Sequence, residues 1–117
     1  MPLPSHVVRV TREGPGESAD AAPGRLVAGS GASTVWNAFS DAAGRLHVGH
    51  WSSEPGVRRV AYAETELCVL LEGRVRLADP DGEVEFGPGE AFVIAAGFEG
   101  TWESLGRVTK IYAVLEP

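Results

Sequence analysis

Cysteine is almost missing from this chain: Cys68 is the only one. That excludes an internal disulfide and any cysteine-rich zinc site. Positive charge is scarce as well. Ten Lys and Arg stand against sixteen Asp and Glu, a net charge of −6, so no basic field exists to release counterions from a phosphate backbone and no nucleic-acid partner is expected. No apolar run approaches the ~20 residues that cross a bilayer, and the amino terminus lacks a basic stretch followed by a hydrophobic one. The expectation is a soluble, cytoplasmic domain without a membrane partner. Histidine is thin too, with only His6, His47 and His50, few for a metalloenzyme. No window shows an apolar period of 3.6 residues, so helices are not expected.

What is present is punctuation. The 117 residues, enough for one domain, contain fifteen Gly and eight Pro, which suits many short strands joined by turns. Residues 6–10 read as a first strand. Residues 11–33, rich in Gly, Ala, Pro and Ser, read as a long loop or mobile arm, so the division is an N-terminal strand and arm over 1–33 and a barrel over 34–117. Strands then follow over 34–39, 45–52, 57–62, 66–72, 74–78, 83–86, 91–95, 101–105 and 107–115, about nine or ten in all. Asp79-Pro80-Asp81-Gly82 is a tight-turn sequence. Counting back from it places Arg76 opposite Glu85, with Val75 and Leu77 sharing a buried face with Val84 and Phe86. The sum is an antiparallel, all-β sandwich or barrel.

Two of these strands are apolar on both faces. Cys68 and Leu70 alternate with Val69 and Leu71, and Phe92 and Ile94 alternate with Val93. One sheet face normally meets water, so the second apolar face calls for a cover: the N-terminal arm or a second subunit. A homodimer through one of these sheets is expected.

Glu66-x6-Gly73, and Phe86-Gly87-Pro88-Gly89-Glu90 running into Gly97-Phe98-Glu99-Gly100-Thr101-Trp102, resemble the motifs of the cupin superfamily. The order of further pieces (Val48-Gly49-His50-Trp51 before Pro55-Gly56, Thr65-Glu66-Leu67-Cys68, and Lys110-Ile111-Tyr112) is similar to small cupins related to (S)-ureidoglycine aminohydrolase. The resemblance implies a jelly-roll barrel of two antiparallel sheets. It also implies a site where three histidines and one glutamate hold a divalent metal in metal-binding members. This chain keeps Glu66 and Gly73 of the first motif, but Val60 and Tyr62 stand in its histidine positions. In the second motif Gly89 and Gly97 match, Ala95 replaces the proline and Gly100 replaces the histidine. Three of four usual ligands are gone, and stable sites use three or four. No metal or other cofactor is expected, with a non-standard ligand set as the open alternative. His47 and His50 lie three residues apart on one strand and so face opposite ways, which lets at most one join Glu66.

If the family's geometry carries over, Tyr62, Glu66 and Cys68 point into the barrel, with Gly100, Trp102 and Ser104 opposite. Such a pocket suits a small molecule, with Glu66 and Tyr62 as catalytic groups and Trp102, Cys68, Ser104, His50 and Lys110 as substrate contacts. Several bland readings stand beside these: Glu66 as a satisfied structural carboxylate, Cys68 as packing, His50 as a cap on the barrel edge. Lys110, the only lysine, either meets Glu66 or an acidic ligand, or is a solvent-exposed lysine on an edge strand. Between Glu64 and Glu103 ten acidic residues face only Arg74 and Arg76. If that field reaches the pocket mouth, cationic or neutral ligands are favoured. The resemblance implies an enzyme acting on a small polar compound, such as one of ureido or amide type. A non-catalytic ligand-binding or sensor domain is the alternative, and a structural dimer module with a vestigial pocket a third.

Overall fold

The computed structural model describes residues 2–117. Its strands are β1 (Glu17–Ala19), β2 (Leu26–Gly29), β3 (Ser33–Ser40), β4 (Leu46–Ser53), β5 (Gly56–Ala61), β6 (Thr65–Glu72), β7 (Val75–Asp79), β8 (Gly82–Phe86), β9 (Ala91–Ile94), β10 (Glu99–Ser104) and β11 (Val108–Leu115). They form a six-stranded sheet in the order β1-β3-β4-β11-β6-β9 and a five-stranded sheet in the order β2-β5-β10-β7-β8. Every pairing is antiparallel. This is the jelly-roll architecture expected from the sequence. Among the described residues no helix is long and apolar enough to cross a membrane.

Alternation builds the space between the sheets. On β6, Glu66, Cys68 and Leu70 turn inward and are buried, and on β9 so are Phe92 and Ile94. Trp102, Val75, Leu77 and Val108 complete the core, with Trp51 and Trp102 edge to face at 5.5 Å. The hairpin of β7 and β8 has the predicted register, Arg76 opposite Glu85. Asp79 Oδ1 accepts hydrogen bonds from the backbone N–H groups of Asp81 and Gly82 and so tightens its turn. Val84 is the exception on the buried face. It is 46% exposed because β8 is an edge strand with no neighbour beyond it.

The N-terminal third differs from its sequence reading. Residues 6–10 form no strand, and the segment read as a loop contributes β1 and β2, one to each sheet. Their side chains are exposed, so backbone pairing holds them and no hydrophobic alternation announced them. The chain before β1 covers part of the larger sheet's outer face. Trp36 Nε1 donates to the Gly14 carbonyl at 3.0 Å, Arg12 lies 5.8 Å over the Trp36 ring, and its guanidinium donates to Thr109 Oγ1 at 3.2 Å. Gly16 permits this close approach: a Cβ there would stand 2.8 Å from the Trp36 ring. That cover stops short of β6 and β9, where Leu67, Leu71 and Val93 remain exposed.

Candidate functional site

The larger sheet delivers Lys110 and Glu66 to the same interior. Antiparallel pairing sets Val114 opposite Glu66, Tyr112 opposite Cys68 and Lys110 opposite Trp51, and residues directly opposite share a face. Lys110 Nζ donates to Glu66 Oε2 at 2.5 Å, and the Cys68 thiol donates to the same oxygen at 3.1 Å. The ammonium also lies 4.5 Å from the Trp102 ring centroid and 4.8 Å from that of Trp51, so two indole faces share its charge with the carboxylate. Lys110 is 5% exposed and Glu66 7%. Of the two sequence readings of Lys110, the structure takes the one that meets Glu66.

Electrostatics follow from this enclosure. Burial on its own lowers the Lys110 pKa, but the Glu66 carboxylate, with Cys68 and Tyr62 nearby, outweighs it and holds the amine above its ordinary range. Burial pushes the Cys68 thiol up to about 12 despite Lys110, and burial likewise raises the Tyr62 phenol. The amine stays an ammonium and the thiol stays a thiol, so neither is a ready nucleophile.

Above the pair lies a cavity of about 280 Å³ lined by Trp51, Arg58, Tyr62, Glu66, Trp102 and Lys110 among others. A second hollow of about 320 Å³ shares Arg58, Tyr62 and Glu66 with it, and is walled by Ala21, Ala22 and Arg25 of the loop between β1 and β2. Arg59 N–H donates to the Arg25 carbonyl at 2.7 Å and ties that loop to β5. Glu66 Oε2 accepts both of the carboxylate's protein hydrogen bonds. Oε1 accepts neither and is not a sealed orphan, so it is the acceptor left for a bound molecule.

Not every residue singled out in the sequence lines this space. Glu66, Tyr62, Trp102 and Lys110 do. Cys68 is fully buried beneath the pair. Ser104 is buried too, accepting from Trp102 Nε1 at 3.0 Å and bonded to Ser53 Oγ at 2.7 Å, so it props the indole instead of meeting a ligand. His50 does not belong to the pocket. It pairs with Ile111 and Trp36 on the outer face of the sheet, beside Arg12 and Thr11, and is 8% exposed. His47 spends its ring on Ser40 at 2.7 Å and Glu116 at 3.8 Å. Neither histidine joins Glu66.

A divalent metal of the kind the fold family holds does not fit these donors. Among the described residues no group of three or more His, Cys, Asp or Glu side chains converges, and an ammonium already sits on Glu66. Gly100, at the position of the missing histidine, leaves no room for a side chain: a Cβ there would stand 2.1 Å from the Ala78 carbonyl.

Sequence reasoning missed Arg58. Its signal was legible, because Arg58 and Arg59 are adjacent in one strand and alternation must turn one of them inward. Arg58 pairs in register with Trp102, its guanidinium lies 5.5 Å over the Trp51 ring, and burial lowers its pKa from the usual arginine value.

Comparison with known proteins agrees with this fold. A family model described as an EutQ-like cupin domain matches residues 40–112. A protein of unknown function in the DUF861 family, from Pseudomonas syringae pv. tomato, superposes with a TM-score of 0.73 at 28% identity, over 94% of this chain and 45% of that one. A DUF861 protein from Thermotoga maritima matches at 28% identity and TM-score 0.52 over 54% of this chain and 73% of its own. The EutQ protein of Clostridium difficile shares the fold at TM-score 0.64 and 15% identity, over 71% of this chain and 61% of that one. No curated protein matches.

Proposed function

The chain belongs to the EutQ-like cupin domain family, and from that premise we propose that its barrel is a metal-independent small-molecule site worked by Glu66 and Lys110. The observation that carries this reading is the buried Glu66–Lys110 pair, 2.5 Å apart, at the wall of a 280 Å³ cavity. A buried ion pair adds little net stability, because desolvation offsets most of its attraction, which leaves a functional role open to it. Here Glu66 Oε1 accepts a proton from the bound molecule. The Lys110 ammonium and the Tyr62 hydroxyl stabilise an oxygen on which negative charge develops, while Trp51 and Trp102 wall the site and exclude water.

The substrate class is a small polar metabolite with a carbonyl and an N–H group. A ureido or amide compound meets both needs, in line with the motif resemblance to (S)-ureidoglycine aminohydrolase relatives. The site lies in the cytoplasm, and two copies pair through the apolar face of β6 and β9. That pairing is supported by Leu67, Leu71 and Val93, all more than 40% exposed on one face. A purely monomeric species by light scattering at micromolar concentration removes the dimer from this reading.

A non-catalytic binding or sensor domain is the second reading, favoured by the way Lys110 already neutralises Glu66. One experiment separates the two. The protein is screened by thermal shift against small amides, ureas and hydroxy acids, and each hit is followed for turnover by NMR. Turnover that Glu66→Gln removes while binding persists supports the enzyme. Binding without turnover in the unmodified protein, weakened by Glu66→Gln, supports the sensor. No hit at all overturns both.

A further inference from the structure

The unbalanced charge around the cavity names the ligand's other end. Lys110 and Glu66 cancel, but Arg58 turns a second cation into the same space, and no carboxylate among the described residues pairs with it. Its one hydrogen bond runs from Nη2 to the Gly31 carbonyl at 3.3 Å, which leaves most of a guanidinium's five N–H donors unspent. Arg25 and Arg59, also without a carboxylate partner, line the adjoining hollow, where Glu64 is the acidic residue besides Glu66. Arg12, Arg74, Arg76 and Arg107, by contrast, all reach carboxylates elsewhere on the surface. In a chain of net charge −6, three arginines without a carboxylate partner, Arg25, Arg58 and Arg59, line this one mouth. The sequence tied a preference for cationic or neutral ligands to the acidic field reaching the pocket mouth; around this cavity the acidic lining residues are Glu66 and Glu64.

Resting on the pocket reading above, we propose that the cavity takes a small carboxylate, with Arg58 as its anchor. The guanidinium is planar and its fork matches a carboxylate's two oxygens, and the Trp51 ring beneath it, 5.5 Å away, holds the fork in place. From there the ligand runs toward Tyr62 and Glu66, so its far end carries the N–H or O–H group that Glu66 Oε1 accepts. Arg58 selects the substrate, and the Glu66–Lys110 pair acts on it.

The test titrates the full chain with N-carbamoylglycine, its neutral amide and inorganic phosphate, following the indole N–H signals of Trp51 and Trp102 by NMR. The acid is expected to bind at least about tenfold more tightly than the amide, the usual size of a charge-assisted hydrogen bond. Arg58→Gln abolishes that preference by weakening the acid at least about tenfold more than the amide, while Arg58→Lys restores part of it. Amide spectra of both variants establish that they are folded. Equal affinity of acid and amide, an acid affinity indifferent to Arg58→Gln, or binding of phosphate alone overturns the carboxylate assignment. If the amide moves the indole signals and the acid does not, the pocket reading survives and this inference falls. If no probe moves either indole, both fall.

Discussion

The two ends of the barrel differ in kind. Between the β7–β8 hairpin and β9 the sheets part into a groove of about 600 Å³, lined by Leu77, Val84, Phe86, Phe92, Ile94 and Phe98, with Asp79, Asp81 and Glu83 along it. Phe86 and Phe92 stack there at 4.2 Å. The cavity over the ion pair, near β5, has less than half that volume, yet it is lined by Glu66, Lys110, Arg58 and Tyr62. The larger space is a gap between two edge strands, filled from its walls by aromatic packing. The smaller one contains charges that burial makes costly, which is the ground on which the proposed function rests. Volume and charge therefore point to opposite ends of the barrel.

The contrast breaks or sharpens under substitution, most sharply at the ion pair. Lys110→Met leaves the Glu66 carboxylate buried without its cation and is expected to lower stability by about 3–5 kcal/mol, read from urea denaturation. Combining it with Glu66→Gln should recover most of that loss. Val84→Ser at the open groove should change stability by no more than about 0.5 kcal/mol. Equal losses at the two positions would abolish the distinction between a charged end and an apolar one.

A second measurement probes how sealed the polar end is. With its pKa pushed up to about 12, Cys68 carries roughly a thousandfold less thiolate at pH 8 than an ordinary thiol. Iodoacetamide should therefore leave it unmodified in the folded protein and react only on unfolding. Rapid alkylation of the native chain would mean that the cavity floor is open.

A pH profile separates the two faces of the larger sheet. Burial lowers the pKa of His50, with Arg12 beside it acting in the same direction and the Thr11 backbone opposing. Its Nδ1 is buried without a hydrogen-bond partner among the described residues. Above about pH 6.5 the ring is neutral folded or unfolded and contributes no slope. Below that, the unfolded chain takes up the proton first, so stability falls toward pH 5 by at most about 1.4 kcal/mol per pH unit. His50→Gln should flatten that part of the profile. Lys110, raised above its ordinary value, adds no slope until the solution is more alkaline than about pH 10. A His50→Gln profile identical to the unmodified one would show that the N-terminal segment does not bury this ring.

Much of the fold and part of the site are legible in the residues alone. Alternation groups Cys68 with Leu70 and Phe92 with Ile94, the family resemblance implies that the face of Glu66 and Cys68 is the inward one, and the Asp79–Gly82 turn places Arg76 opposite Glu85. Such readings succeed because a strand's period of two is a local property and a tight turn sets the register of its own hairpin. The short strands β1 and β2 escape because their exposed side chains carry no apolar signal. His50 is misplaced by the same reasoning because parity says that two neighbours face apart, not which of them faces in.

The sequence by itself determined an all-β cupin barrel, the loss of its metal-binding histidines and an interior carboxylate at Glu66. Only the tertiary structure decided what that carboxylate faces. Lys110 lies 44 residues away, and it reaches Glu66 through the pairing of β11 with β6, which runs in unbroken register from Lys110 opposite Leu70 to Leu115 opposite Thr65. Arg58 meets the same pair because β5 belongs to the other sheet. Alternation is written into each strand; the charges that meet across a barrel depend on how all of them close.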